Sequence, residues 1–280
     1  MSLLRINHNI SSINTQRNLN LTTFELNKTL QRMSSGFRIN VAADGPADLV
    51  ISENLRSQIS GIKAALRNTQ EAANLIGIAE GALIEISNVL TSMRSLAVHA
   101  SNTGVVSDSQ VAADQSELDR GLESINRIVE ATRFAGDPIF TTTSLTFHVG
   151  EGATSGIDTV NFSVGLVNTS LLGISATITG GAFDLATSAR AAISLIDAAA
   201  NTVASLRGRL GAFQKDCLQT NINSLSVSME NMTATESYIR DANMAEEASE
   251  FTRNQVLVQS GLSVLAQANA ASQSVLQLLR

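Results

Sequence analysis

Leu75-Ile-Gly-Ile-Ala79-Glu-Gly-Ala82-Leu-Ile-Glu-Ile86-Ser-Asn-Val89-Leu-Thr-Ser-Met93-Arg-Ser-Leu96 decides the fold class of this 280-residue chain. Leu75, Ala79, Ala82, Ile86, Val89, Met93 and Leu96 recur at alternating steps of four and three, the a/d seam of a coiled coil. Downstream, Asn102-Thr103-Gly104 is a stop in which Gly104 can take the left-handed position after a helix. Ser107 or Asp108 then caps a second helix with an apolar face of Val111, Leu118, Leu122, Ile125, Ile128 and Val129. The C-terminal arm repeats the pattern through Ile196, Ala199, Val203, Leu206, Leu210, Phe213 and Cys217. There the stripe moves by one position, to Leu218, Ile222, Leu225, Met229 and Met232. Such a drift is expected of a helix straighter than a strict heptad allows. Three long seams need partners, which predicts a mainly α chain: a long antiparallel bundle built from both chain ends.

Composition agrees. Hydrophobic residues make up 44% of the chain but aromatic ones only 4%, and two prolines interrupt it, so the apolar content is aliphatic and suits long helices. The length is enough for about two ordinary domains. A balance of 19 basic to 25 acidic residues, net −6, gives no phosphate-tracking surface, so no nucleic-acid partner is expected. The single cysteine, Cys217, excludes an internal disulfide and a cysteine-based zinc site. No uninterrupted apolar run approaches the ~20 residues of a membrane span, so no membrane insertion is expected. Met1-Ser2-Leu3-Leu4-Arg5 lacks the apolar core of a signal peptide.

The middle differs. Residues 136–181 hold 8 of the 18 glycines and, after Asp137, only Glu151 and Asp158 as charges. Leu145, Phe147 and Val149 alternate with polar residues, as do Val160, Phe162 and Val164, around the turn-rich stretch from Glu151 to Asp158. This predicts a β-hairpin at about 141–182, leaning on the helices because a lone hairpin is marginal in water. Ser/Thr density between 141 and 190 fits exposed glycosylation sites and equally fits plain strand and turn composition.

The two ends carry more apolar residues than they can cover. Residues 5–35 hold Ile6, Ile10, Ile13, Leu26, Leu30 and Met33. Residues 244–280 hold Met244, Phe251, Val258, Leu262, Leu265, Leu276 and Leu279, with Leu257, Gly261, Val264 and Ala268 on another face. A helix apolar over much of its circumference needs neighbours beyond the other terminus of the same chain. The surplus argues for ends that fold when copies pack together.

No catalytic, cofactor or metal site is expected. HExxH, Walker-type, GxSxG and CxxC motifs are absent from the sequence. Gly150-Glu-Gly152 reads as a turn, the acids Asp241, Glu246, Glu247 and Glu250 as a helix start favoured by its dipole, and Cys217 as a small hydrophobe on the stripe.

Ordered motifs then name a resemblance. Ile6-Asn-His-Asn-Ile10, Asn14-Thr-Gln-Arg-Asn-Leu19, Leu30-Gln-Arg-Met-Ser-Ser-Gly-Phe-Arg-Ile-Asn40 and Ala42-Ala-Asp44 resemble the start of bacterial flagellins. Arg67-Asn68-Thr69, Ala79-Glu-Gly-Ala-Leu83 and Met93-Arg-Ser-Leu-Ala-Val98 continue it. Arg209-Leu-Gly-Ala-Phe-Gln214, Glu236-Ser-Tyr-Ile-Arg-Asp-Ala-Asn-Met-Ala-Glu246, Leu265-Ala-Gln-Ala-Asn269 and Val275-Leu-Gln-Leu-Leu279 are similar to the family's C-terminal signature.

The resemblance implies a structural subunit that polymerises into the flagellar filament and is exported unfolded through the flagellar type III pathway. It implies an inner domain of residues 1–40 and 242–280 that forms the filament core tube, with Ile6, Ile10, Ile13, Phe251, Val258, Leu262, Leu265, Leu276 and Leu279 as assembly residues. Residues 41–241 would form an outer helical-bundle domain. Only 136–181 is free for an insert, which implies that outer variable domains are absent. The partners implied are further copies of the chain, an export chaperone, and cap and hook-junction proteins, with the filament extracellular. A hook–filament junction protein of the same helical family is the alternative. An enzyme is not expected, because the insert is too short for a protease domain and lacks metal ligands.

Some positions depart from the family pattern. Gly45-Pro46-Ala47-Asp48 replaces an acid-alanine-alanine-glycine run, and Pro46 favours a helix start there. Lys215-Asp216-Cys217 replaces the usual Asn-Arg pair, and Phe134-Ala135-Gly136 lacks the family's asparagine. The segment read by Toll-like receptors matches at Arg94, Leu96, Ala97 and Glu117, but Ser92 and Ser95 stand where an arginine and a glutamate usually lie. That implies weakened receptor activation, the same residues serving contacts between subunits.

Overall fold

The computed structural model describes residues 8–141, 144–152, 154, 156–165, 167–169, 172 and 185–278, with 186, 187 and 272–278 described by backbone alone. The helices are α1 (Ile10–Ser35), α2 (Pro46–Ala100), α3 (Asp108–Ala131), α4 (Leu185–Ala212), α5 (Thr220–Arg240) and α6 (Met244–Leu278). The strands are β1 (Arg133–Phe134), β2 (Asp137–Pro138), β3 (Leu145–His148) and β4 (Thr159–Phe162). Contacts divide the chain into two units: Ser60–Met229, and Met1–Ile59 with Glu230–Arg280.

In the Ser60–Met229 unit the helices bury one aliphatic core. The buried stripe of α2 is Ile76, Ala79, Leu83, Ile86, Leu90, Met93, Ala97 and Ala100. It keeps the expected three-four rhythm but lies partly one position away from the sequence seam: Ala82, Val89 and Leu96 are only half-buried. The cause is that α2 faces two neighbours. Met93 and Val89 press on Gly121 of α3, where a Cβ would stand 3.0 Å from Met93 Cγ. On the other side Arg94 and Glu80 pair with Asp197 and Arg207 of α4. The deepest stripe therefore bisects the two contacts instead of following either. By length and composition α2 could span a membrane, but its apolar stripe belongs to this core.

Pro46 opens α2, as its fixed φ favours. Ser107 caps α3, and Gln110 Oε1 accepts from the Ser107 backbone N–H at 2.9 Å, as in a capping box. Gly104 does not take the expected left-handed conformation. The chain turns there by bonding Val105 and Val106 N–H to Asn102 O, each at 3.2 Å. The left-handed helix cap is Gly36, φ 76°, whose N–H reaches Arg32 O at 2.8 Å after α1.

The one-position drift of the C-terminal stripe has a different origin from helix straightness. Residues Phe213–Gln219, between α4 and α5, form a π-helical turn. A π turn accommodates one extra residue, so the buried position passes from Leu210 to Leu218 and the following stripe is displaced by one. The widened turn also offers Phe213 to the hairpin. Its ring stacks on Phe162 at 4.3 Å between centroids and meets Phe147 at 6.4 Å.

The hairpin forms as expected, with Leu145 opposite Phe162 and His148 opposite Thr159. Asn68 of α2 and Asn221 of α5 donate to His148 O and Val149 O at 3.2 and 2.9 Å. Gly150 and Gly152 make room for Asp158: a Cβ on Gly150 would overlap its carboxylate, whose Oδ2 accepts from Thr154 N–H at 2.8 Å. A second ribbon, β1–β2, escaped the sequence reading because its strands are two residues long. Ala135 (φ 52°) and Gly136 (φ 99°) turn it.

Candidate functional site

The other unit is organised by α1 and α6, which run antiparallel. Arg32 meets Glu247, Leu19 meets Gly261 and Asn9 Nδ2 donates to Ala268 O at 3.0 Å. Along the line of contact α1 covers Ser12, Thr15, Leu19, Thr22, Leu26, Thr29 and Met33 and α6 covers Glu247, Phe251, Asn254, Val258, Gly261, Leu265 and Ala268, with Lys28, Arg32 and Glu250 half-buried beside it. Both series step by three and four, a heptad seam in which small and hydroxyl side chains alternate with larger ones.

Threonine suits this seam because its hydroxyl is satisfied on its own helix. Thr15, Thr22 and Thr29 Oγ1 donate to the carbonyls of Ser11, Asn18 and Glu25 at 2.8, 2.9 and 2.8 Å, leaving each methyl for the partner. Gly261 keeps the approach close, since a Cβ there would stand 3.2 Å from Leu19 Cδ1, the end of a side chain that can shift by a few tenths of an ångström.

A second set of large apolar residues lies outside the seam. Ile13, Leu21 and Phe24 are 61%, 60% and 64% exposed, and Ile10 is also exposed. At 3.6 residues per turn these four fall in a sector of about 80°, on the side of α1 away from α6. A groove of about 580 Å³ runs from the seam edge at Ser12 onto this face, lined also by Ile13, Gln16, Arg17, Asn20, Leu21 and Phe24. On α6, Val256, Leu257, Leu262 and Val264 are exposed.

The expected assembly residues thus divide. Ile10, Ile13 and Leu262 are exposed, whereas Phe251, Val258 and Leu265 occupy the intramolecular seam. Ile6 and Leu279 lie outside the described residues, and Leu276 is described by backbone alone. Leu21 and Phe24 were missed, although their spacing to Ile13 already set them on one face. The seam hydroxyls were missed because an apolar search passes over them.

Two linkers cross beside the pair. Phe37 and Asp241 form an antiparallel bridge, Arg38 N–H donates to Arg240 O at 2.7 Å, and Ala242 N–H donates to Gly36 O at 2.9 Å. Arg38 Nη2 caps Ile239 O at 2.6 Å. Arg240 sits over the Phe37 ring and bonds Glu53 Oε1 at 2.6 Å, which holds the Glu53 carboxyl below the usual range. The hydrogen bond from Lys28, helped by the Val41 and Asn40 N–H groups, lowers the Asp44 carboxyl in the same way.

Of the expected receptor residues, Arg94 is exposed and bonds Asp197 Oδ1 through Nε at 2.6 Å, and Glu117 is exposed. Leu96 is half-buried, and Ala97 is fully buried in the bundle. Cys217 is half-buried in the π turn, and burial pushes its thiol up. Among the described residues no group of three or more His, Cys, Asp or Glu is placed to hold a metal ion.

Residues 6–144 match the bacterial flagellin N-terminal helical region, and residues 193–279 match the bacterial flagellin C-terminal helical region. The chain is 39% identical over 281 residues to a flagellin of Halalkalibacterium halodurans, covering 98% of this chain and 99% of that protein. It is 37% identical over 308 residues to a flagellin of Bacillus subtilis, covering 99% and 100%. A solved structure from Vibrio parahaemolyticus, described as a flagellar hook-associated protein, superposes with a TM-score of 0.58 at 16% identity, covering 70% of this chain and 99% of that one. That last likeness speaks to the fold alone.

Proposed function

Because the chain belongs to the bacterial flagellin family, we propose that it is a structural subunit of the flagellar filament whose copies pack through the exposed apolar faces of α1 and α6. One observation carries this reading. The two terminal helices satisfy each other through a seam that already includes Leu19, Leu26, Phe251 and Leu265, and still leave Ile13, Leu21, Phe24, Val256 and Leu262 in water. Covering a large aliphatic or aromatic side chain stabilises by about 1.5–3 kcal/mol, so a few such residues per copy suffice to drive a lattice. A head-to-tail contact that does not close on itself extends as a helix of subunits.

In this reading residues 1–40 and 242–280 form the inner tube and residues 41–241 the shell around it, with no outer variable domain. The role is mechanical, not enzymatic: the polymer transmits torque. The chain reaches the extracellular filament unfolded through the flagellar type III pathway, met by an export chaperone and by cap and hook-junction proteins. Toll-like receptors would read Arg94, Leu96 and Glu117 weakly, because Ala97 is buried and Ser92 and Ser95 lack the family's charges.

Electron microscopy of the purified protein tests the reading. Long hollow filaments are expected, together with a gain in amide protection across α1 and α6 on assembly. Folded protein that stays monomeric under every polymerising condition would overturn it.

A further inference from the structure

We propose that the ion pair between half-buried Arg32 and buried Glu247 selects the register in which α1 and α6 zip together, a property separate from whether copies then assemble. The need for a selector is visible in the seam. Leu19, Leu26 and Met33 recur every seven residues on α1, as do Thr15, Thr22 and Thr29. Phe251, Val258 and Leu265 recur every seven on α6, interleaved with Asn254, Gly261 and Ala268. A slide of one heptad in either direction sets similar side chains opposite one another, so the apolar contacts barely distinguish three alignments.

Charge distinguishes them. Arg32 Nη1 lies 3.2 Å from Glu247 Oε1, and Glu247 is 7% exposed. A slide one way would set Arg32 beside Asn254, and the other way would set Glu247 beside Glu25. Either leaves a buried charge without its partner, which is far costlier than a poor apolar contact. The pair is a poor source of stability in itself: Arg32 Nε and Glu247 Oε2 have no partner among the described residues. An incompletely satisfied pair retained in a seam acts on alignment, as buried polar residues do in coiled coils. The Phe37–Asp241 bridge lies five and six residues from Arg32 and Glu247, at the same end of the seam.

The test uses the full chain with Cys217→Ser and cysteine pairs sharing one position. Leu19→Cys with Gly261→Cys reports the observed register; Ser12→Cys or Leu26→Cys with Gly261→Cys reports a slide of one heptad either way. Oxidised intramolecular product, which runs as monomer on a denaturing gel, should favour the Leu19 pair at least tenfold. Glu247→Arg should raise the slipped products at least fivefold, and Arg32→Glu with Glu247→Arg should restore the original ratio. Arg32→Met with Glu247→Met keeps the seam filled, so total cross-linking should persist while spreading over all three pairs. The proposal fails if Glu247→Arg leaves the ratio unchanged, if the charge swap does not restore it, or if the Met/Met chain keeps a single register. It fails equally if Glu247→Arg yields no intramolecular product, since the pair would then be holding the helices together and not aligning them. Microscopy of the same samples reads filament formation independently.

Discussion

Leu19 and Gly261 meet across the α1–α6 seam so closely that a Cβ on Gly261 would stand 3.2 Å from Leu19 Cδ1. Leu19 is half-buried and can yield a few tenths of an ångström. Gly261→Ala should therefore gain most of the helix propensity of alanine, up to about 1 kcal/mol, and strengthen the pair. Gly261→Leu overfills the same space at a cost of about 1–3 kcal/mol and should part the helices. Amide exchange across α6 checks this: protection should rise with Ala and fall with Leu, and a rise with both would show that the contact does not limit the seam.

Ala135 is the one described non-glycine residue with a positive φ, 52°, in the turn between β1 and β2. A Cβ in the left-handed region costs roughly 1–2 kcal/mol, which asparagine lowers and glycine escapes. The flagellin asparagine lacking here thus has a physical use. Ala135→Asn or Ala135→Gly should stabilise the chain by about 0.5–1 kcal/mol, raising the midpoint of thermal unfolding by about 1–4 °C. An unchanged or lower midpoint for both would place the strain elsewhere.

What the sequence disclosed depended on which physical signal each element uses. Helix α3 was legible to within one residue at its start, where Ser107 or Asp108 was the expected cap and Ser107 takes the place, and a single face from Leu118 to Val129 is buried. The hairpin was legible because Leu145, Phe147, Val160 and Phe162 alternate. On α2 the rhythm was right but the phase was partly displaced, since burial is shared between α3 and α4 and no single-partner heptad describes it. The π turn at Phe213–Gln219 left only a one-residue slip, and a slip has more than one geometric origin. The terminal site was the hardest to read. Large apolar residues lie both in the intramolecular seam, as Leu19, Leu26, Phe251 and Leu265 do, and on the outward face with Leu21 and Phe24, so hydrophobicity alone does not say which residues the chain covers itself.

Asp44 makes the corner after α1 sensitive to acid. Its carboxylate accepts from Lys28 Nζ at 3.0 Å and from Asn40 and Val41 N–H at 3.2 Å each. These contacts hold its carboxyl below the ordinary aspartate value of ~3.9, so the unfolded chain takes up the proton first. The stabilisation is therefore complete above that value and disappears as pH falls through the lower folded value. Lys28 is 31% exposed at its side chain, and screening keeps the contribution on the order of 1 kcal/mol. Asp44→Asn should cost about that much at pH 7 and progressively less as pH falls below the ordinary aspartate value, measured by thermal unfolding at pH 7 and in acid. A cost that is equal at the two pH values would mean that charge is not the cause.

Leu262 and Leu265, three residues apart on α6, should fail in different ways. Leu265 is half-buried against α1, and Leu262 is 54% exposed. Leu265→Asp places a carboxylate in the seam, where an unpaired charge is heavily penalised, so the helix pair itself should open and cross-linking between α1 and α6 should be lost. Leu262→Asp changes a side chain that is 54% exposed and outside the seam, and its effect on monomer stability should stay within about 0.5 kcal/mol. In the lattice it would set a charge where the neighbouring copy packs, and filament yield should drop at least tenfold. Phe24→Glu and Leu26→Glu form the matching pair on α1, the first 64% exposed and the second in the seam. Pelleting assays read assembly and circular dichroism reads the monomer. If Leu262→Asp and Phe24→Glu both polymerise as well as the parent, the exposed faces remain in solvent within the filament, and the packing between copies must run through other surfaces.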